Sequence, residues 1–158
     1  MRRKIKNVFA EGDYQCFGCS PHNPLGLHLH FFETEEGVET EWNPQQHFEG
    51  YPGIVHGGIQ SLLLDEIAAW VVYIKAKTAG VTSRLNVKYR KPVSSAQEKI
   101  VLKGKIKSTE RNFCYVDAFL LNEAGEVCAE AEAIYYIFPL EKAIKDHFYP
   151  EDYNRFFV

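Results

Sequence analysis

The residue most able to do chemistry is an acid set in an apolar run. Asp65 lies within Ile59-Gln60-Ser61-Leu62-Leu63-Leu64-Asp65-Glu66-Ile67-Ala68-Ala69-Trp70-Val71-Val72-Tyr73-Ile74. Leu62, Ala68 and Ala69 stand at helical neighbour spacings from it, so its carboxylate needs a hydrogen-bond donor, a cavity or another subunit. Glu66, beside it, is expected to point outward. Just upstream, Gly50-Tyr51-Pro52-Gly53-Ile54-Val55-His56-Gly57-Gly58 opens the helix with two glycines. A helix start offers unpaired N–H groups and a positive dipole end, and Gly57 and Gly58 let a ligand approach that backbone. Such N–H groups suit an oxyanion, and a carboxylate suits attack on a carbonyl or activation of water.

The two features are too far apart to serve one substrate from one helix. Asp65 lies eight residues beyond Gly57, about 12 Å along the axis at ~1.5 Å per residue. A nucleophile and its oxyanion donors must both come within about 3 Å of one reacting centre. Two antiparallel copies of the helix solve the problem, each site taking Gly57 from one chain and Asp65 from the other. A homodimer is therefore expected, with pairing into tetramers left open.

The flanking segments must hold this helix. Alternation from Leu25 through Leu27, Leu29 and Phe31, with His28 and His30 on the other side, predicts a strand. Residues 34–37 read as a turn, 38–42 as a second strand, and 43–55 as a loop leading to the helix. Four more strands are predicted over 81–89, 99–108, 112–122 and 126–138, then a short helix over 140–148 and an aromatic tail that docks on the body or a partner. One helix, apolar on almost every side, among consecutive strands predicts an α+β fold with an antiparallel sheet wrapped about it. Ala129, Ala131 and Ala133 share one strand face and leave room for the helix. In the strand after the helix, Val81, Ser83, Leu85, Val87 and Tyr89 share a face, which places Ser83 on the helix side as a partner for Asp65 or as a serine bonded to its own backbone. Arg84, Lys88 and Arg90, with Lys91, offer cations for phosphates or simply form a solvated edge.

The His56-Gly57-Gly58 opening with an acid nine residues after the His resembles the hotdog-fold acyl-CoA thioesterases of the PaaI type. Residues 49–58 look especially like the subgroup containing mitochondrial thioesterase-superfamily members. Cys16-Phe17-Gly18-Cys19 followed by Asn23-Pro24-Leu25-Gly26-Leu27 is similar to a stretch in PaaI-like proteins, so the resemblance spans roughly residues 14 to 138. It implies a hotdog fold and hydrolysis of an acyl-CoA thioester without a cofactor. Asp65 would be nucleophile or general base, and the Gly57 N–H would polarise the carbonyl across a dimer interface. Ser83 would orient water or carboxylate, and His56 would shape the turn or position substrate. Many relatives carry Asn or Gln about six residues before the His. Here that position is Gly50, with Gln46 and His47 as substitutes. Leu62, Trp70, Tyr73 and Tyr89 are expected to set the depth of the acyl pocket.

Other classes fit less well. With 158 residues, 46% hydrophobic and 25% charged, one domain over 1–158 is expected, with 1–14 and 139–158 as extensions. A net charge of −3 gives no basic face for nucleic acid. The basic N-terminus lacks the apolar run of a signal peptide, and Asp65, Glu66, Lys75 and Lys77 argue against a membrane span, so a cytoplasmic location is expected. No Gly-x-Ser-x-Gly elbow or phosphate loop occurs. The four cysteines are expected to be reduced. Cys16-x-x-Cys19 with His22, and His28 or His30, has half the look of a zinc site. It reads more simply as a turn with two small apolar side chains and no metal. Alternatives to hydrolysis are a non-catalytic acyl-CoA binding module, a hotdog-fold dehydratase or hydratase, and a zinc-dependent interaction protein built on Cys16 and Cys19.

Overall fold

The computed structural model describes residues 1–157. Seven antiparallel strands form one sheet: β1 (Arg2–Lys4), β2 (Phe31–Thr34), β3 (Val38–Trp42), β4 (Gly80–Tyr89), β5 (Ile100–Glu110), β6 (Phe113–Leu121) and β7 (Val127–Ile137). Their order is β1-β2-β3-β5-β6-β7-β4, so the ten-residue β4 is an edge strand. Helix α1 (Gly57–Val71) enters between β3 and β4 in sequence and lies across the sheet's concave face. This is the hotdog arrangement, α+β with the sheet wrapped on one long helix.

Local chemistry explains why α1 starts and stops where it does. His56 is its N-cap, and the ring Nδ1 accepts from the Gly58 N–H at 2.8 Å. Leu and Ala dominate the interior and favour helix. At the far end Val71, Val72 and Ile74 crowd the turn, the chain widens into a π-helical segment over Val72–Ala76, and Lys77 ends it at φ 56°. Its last carbonyls are not left bare: Tyr149 O–H donates to the Tyr73 carbonyl at 2.8 Å and Tyr153 O–H to that of Ile74 at 2.9 Å. The aromatic tail after α2 (Leu140–Asp146) thus docks on the body, with Phe156 and Tyr149 buried.

Leu63, Leu64, Ile67, Ala68, Trp70 and Val71 are buried against the sheet. Each large side chain among them contributes about 1.5–3 kcal/mol. Small residues let the helix come close. A Cβ at Gly104 would stand 2.8 Å from Val71 Cγ2, and Ala118, Ala129 and Ala133 line the same side fully buried. By length and composition Gly57–Ala76 is long and apolar enough to cross a membrane, with hydropathy 1.3, yet half of that window is buried inside the fold.

The expectation of burial on every side is corrected here. A stripe through Gly58, Ser61, Leu62, Asp65 and Ala69 is half-buried or exposed, because the sheet covers only the opposite side. Trp70 is also not a pocket wall: it stacks on Phe31 at 4.6 Å and meets Phe9, Tyr73 and Phe156 in an aromatic cluster.

The N-terminal third departs further. Leu27 and Leu29 are buried as the alternation implied, but residues 25–30 form no strand. Their N–H groups pair with a loop instead, Leu27 with the Phe17 carbonyl at 2.8 Å and Leu29 with that of Gly18 at 3.0 Å, and His28 adopts a left-handed φ of 53° that breaks the pleat. Strand β1 has no counterpart in the reading of the sequence. It is held to β2 and β3 by ion pairs of Arg3 with Glu33 and Arg2 with Glu39.

Candidate active site

Asp65 faces the uncovered stripe of α1, and two hydroxyls hold one of its oxygens. Thr82 Oγ1 donates to Asp65 Oδ1 at 2.9 Å, and Tyr135 O–H donates to the same oxygen at 2.5 Å while also lying 2.8 Å from the Asp65 carbonyl. Thr82 of β4 and Tyr135 of β7 are directly paired across the ladder, so their side chains rise from the same face and converge on one carboxylate. Burial first, and then the Asp65 charge, push the Tyr135 phenol above its ordinary 10, which keeps it a proton donor. Oδ2 has no donor among the described residues.

The partner within the chain is Thr82, not Ser83. The β4–β7 register slips between Thr82 and Arg84, so Ser83 is an extra bulged residue and the alternation changes phase there. Leu85, Val87 and Tyr89 keep the helix-facing side that the pattern gave them, but upstream of the bulge that side belongs to Thr82. Ser83 is exposed on the edge strand.

At the other end of the helix, Tyr89 reaches back over the first turn. Its hydroxyl donates to the Gly57 carbonyl at 2.8 Å and lies 2.6 Å from Ser61 Oγ. A recess of about 330 Å³ opens beside it, lined by Gly50, Tyr51, Ile54, Val55, His56 and Gly57. The Gly58 N–H is taken by His56, whereas the Gly57 N–H has no acceptor outside the helix among the described residues. His56 thereby shapes the turn. Gly50 packs under it, where a Cβ would stand 3.3 Å from the ring. Deeper in the turn, Gln60 Nε2 donates to the Val55 carbonyl at 2.9 Å, while its Oε1 is buried with no partner. Gln46 and His47 are exposed and line no part of the recess; His47 lies against Phe48, with ring centroids 4.1 Å apart.

The cations divide. Arg90 is paired with Glu130 at 2.5 Å and Lys91 with Glu126. Arg84 and Lys88 are exposed on β4 and make no ion pair among the described residues.

Glu66 corrects the expectation that it points outward. It turns in toward the Cys16–Cys19 loop, 3.5 Å from the Cys16 thiol. Burial, then the Cys16 charge, push its carboxyl up to about 8. Cys114 and Cys128 are buried in strands, and all four cysteines are unpaired.

The reading of the sequence missed Thr82, Tyr135, Tyr89 and Glu66. Tyr135 did carry a signal, since it continues at period two the row of Ala129, Ala131 and Ala133. A phenol closing a helix-facing row of alanines must find an acceptor on the helix.

The sequence profile of the thioesterase superfamily matches residues 52–129, a span that includes Ile54, Val55, His56 and Gly57 of the recess, Asp65 and Thr82. Over that segment the chain is similar to the thioesterase superfamily. Among solved structures, a thioesterase superfamily protein superposes with TM-score 0.71 at 25% identity, covering 85% of this chain and 66% of its own. The chain spans just under two thirds of the length of that relative. A hypothetical thioesterase from Streptococcus pneumoniae solved with coenzyme A gives TM-score 0.62 at 24% identity, covering 67% of this chain and 84% of that one. The zebrafish thioesterase superfamily member 2 gives 0.62 at 19%, covering 70% and 81%. No curated protein matches the sequence.

Proposed function

We propose that this protein hydrolyses an acyl-CoA thioester to the free acid and coenzyme A, as a homodimer of the PaaI-like kind. The observation that carries the reading is Asp65: a carboxylate on the uncovered stripe of α1, held through Oδ1 by Thr82 and Tyr135, with no donor to Oδ2 among the described residues. That geometry suits a base or nucleophile, because the held oxygen sets the direction of the free one.

In the reaction, the thioester carbonyl sits against the Gly57 N–H, which stabilises the oxyanion. Asp65 takes a proton from water as the water oxygen bonds the carbonyl carbon. Collapse of the tetrahedral intermediate breaks the C–S bond, and coenzyme A leaves as thiolate. Direct attack by Asp65 gives a mixed anhydride that water then cleaves to the same products.

Gly57 opens α1 and Asp65 lies at its middle, about 12 Å further along the axis, so the site takes one from each of two antiparallel copies. Support comes from the edge strand β4, on which Val81 is 50% and Tyr89 53% exposed. An unpaired strand of this length is a template for a second copy. In that dimer Ser83, at the bulge, is placed to orient water, and Arg84 and Lys88 are free to meet phosphates of coenzyme A. Arg90, tied to Glu130, is the weaker candidate. A dehydratase reading is disfavoured, since the His56 ring serves as a cap and no acid is bonded to it among the described residues.

The test is thiol release from a panel of acyl-CoAs, aliphatic of several lengths plus phenylacetyl and hydroxybenzoyl, by wild type and Asp65→Asn, with sedimentation velocity on both. Dimers that turn over one class of acyl-CoA, and lose at least about a hundredfold in kcat on Asp65→Asn, are expected. Binding of an acyl-CoA with no thiol release would replace the hydrolase with a binding module. A catalytically competent monomer would sink the shared site.

A further inference from the structure

The Cys16-Phe17-Gly18-Cys19 loop and Glu66 are not used by the hydrolysis just described. We propose that Cys16, Cys19 and Glu66 form a binding site for one zinc ion, which clamps the N-terminal loop to helix α1 one residue from Asp65.

Geometry carries this. The two sulfurs and a Glu66 carboxylate oxygen all lie within 4.8 Å of one another, and Cys16 Sγ is 3.5 and 3.6 Å from the two carboxylate oxygens. Tetrahedral zinc with Zn–S near ~2.3 Å and Zn–O near ~2.1 Å sets S and O about 3.6 Å apart. Cys16 and Glu66 thus already stand at the separation of two ligands on one zinc, with Cys19 Sγ within 4.8 Å of both. Residue 18 supplies a second, independent observation. A Cβ there would lie 2.4 Å from the Glu66 carboxylate carbon and 2.5 Å from Oε2, so the loop backbone packs directly on the carboxylate and a side chain at 18 would have to push it aside.

Charge gives the reason for an ion. Glu66 is a helix acid turned into the fold, and among the described residues no Lys or Arg pairs with it. Thiols are weak donors to leave as its partners. Thiolate, thiolate and carboxylate together select a borderline-soft divalent cation over magnesium or calcium. The Tyr14 hydroxyl, 3.2 Å from Cys19 Sγ, stands beside the set, and water completes the tetrahedron. Two of the candidate histidines are engaged elsewhere, His22 Nε2 with the Ala10 carbonyl at 2.8 Å and His28 with that of Asn23. On binding, the thiol protons of Cys16 and Cys19 pass to solvent and no electron moves.

Full-length protein is stripped with chelator under reducing conditions, reloaded with zinc, desalted and assayed for metal. A parallel cobalt titration follows the thiolate-to-metal charge-transfer band. About one zinc per chain and a cobalt–thiolate band are expected. Cys16→Ser and Cys19→Ser should weaken binding by more than about tenfold, and Glu66→Gln by about tenfold with the band retained. Cys114→Ser and Cys128→Ser should bind like wild type. Wild-type protein that retains no zinc and gives no band overturns the proposal without recourse to any variant. So does binding that survives both loop cysteine changes, which would place the metal elsewhere. Because the readout is metal content, the result is separable from thioester hydrolysis.

Discussion

Removing one hydroxyl, that of Tyr135, tests whether Asp65 is held for chemistry. Tyr135 is 2% exposed and packed in β7, so Tyr135→Phe keeps the ring in place and leaves no void large enough to matter. What goes is the 2.5 Å bond to Asp65 Oδ1 and the contact with the Asp65 carbonyl at 2.8 Å. A hydrogen bond to a charged group contributes about 1.5–3 kcal/mol. Asp65 is half-buried, so water replaces part of that, and about 1–2 kcal/mol of stability is expected to be lost. For a domain of this size that lowers Tm by about 2–8 °C. The kinetic effect has a separate origin, since a carboxylate held by Thr82 alone samples more directions. A fall in kcat of about 10- to 100-fold corresponds to 1.4–2.8 kcal/mol in the barrier, with KM changing little because the phenol need not touch substrate. Urea unfolding at fixed protein concentration gives the first number, and thiol release from the best acyl-CoA gives the second. Thr82→Val completes a double-mutant cycle. Both hydroxyls bond one oxygen, so the two changes should couple by about 0.5–3 kcal/mol. A Tyr135→Phe protein with wild-type kcat would refute the idea that this bond orients a catalytic carboxylate, whatever its stability.

Three further changes probe other parts of the structure. Gly57→Ala should fold nearly as well as wild type, because its Cβ would meet the Tyr89 ring at an ordinary 3.5 Å, yet kcat/KM should drop as the methyl crowds the approach to the N–H; equal activity would remove Gly57 from the site. Gly104→Ala should cost about 1–3 kcal/mol in urea unfolding, since its Cβ would press on Val71 Cγ2 at 2.8 Å inside a packed core; an unchanged midpoint would mean that α1 is free to shift. For Glu33, burial pushes the carboxyl up, but Arg3 and Lys75 outweigh it and hold it below its ordinary 4.5. A depressed carboxyl contributes stability that is present above the unfolded value and lost as pH falls through the folded one. Glu33→Gln should therefore be less stable than wild type at neutral pH, with the gap closing below about pH 4.5, and a gap that widens in acid would reverse the assignment.

How much of this was legible in the sequence depends on how far each signal reaches along the chain. Helix α1 and strands β4 to β7 were legible because long apolar and period-two patterns repeat over nine to fifteen residues. Strand β1 was not: three charged residues show no alternation, and Arg2 and Arg3 earn their place through Glu39 and Glu33 on strands some thirty residues away. Leu27 and Leu29 gave the right burial with the wrong element, since nothing local tells whether their N–H groups will meet a strand or the loop at residues 16–19. The bulge at Ser83 is the instructive miss. One extra residue shifts every side chain upstream of it to the opposite face, and no residue type in Thr82-Ser83-Arg84 marks the slip.

The two acids of α1 make the same point about what a helix position can mean. Asp65 and Glu66 are adjacent in sequence, but successive side chains leave a helix about 100° apart. That rotation takes one carboxylate to the uncovered stripe, where Thr82 and Tyr135 meet it, and the other to the loop around Gly18. Composition marks both as acids in an apolar run and cannot separate them; only the elements on each side do. A rigid α1 then links the two sites. A clamp on Glu66 from the 16–19 loop would fix the rotation of the helix about its axis, and with it the direction of Asp65. Stripping metal should therefore alter kcat more than KM if the clamp holds the active helix in register, and leave both unchanged if β5 and β6 alone fix it.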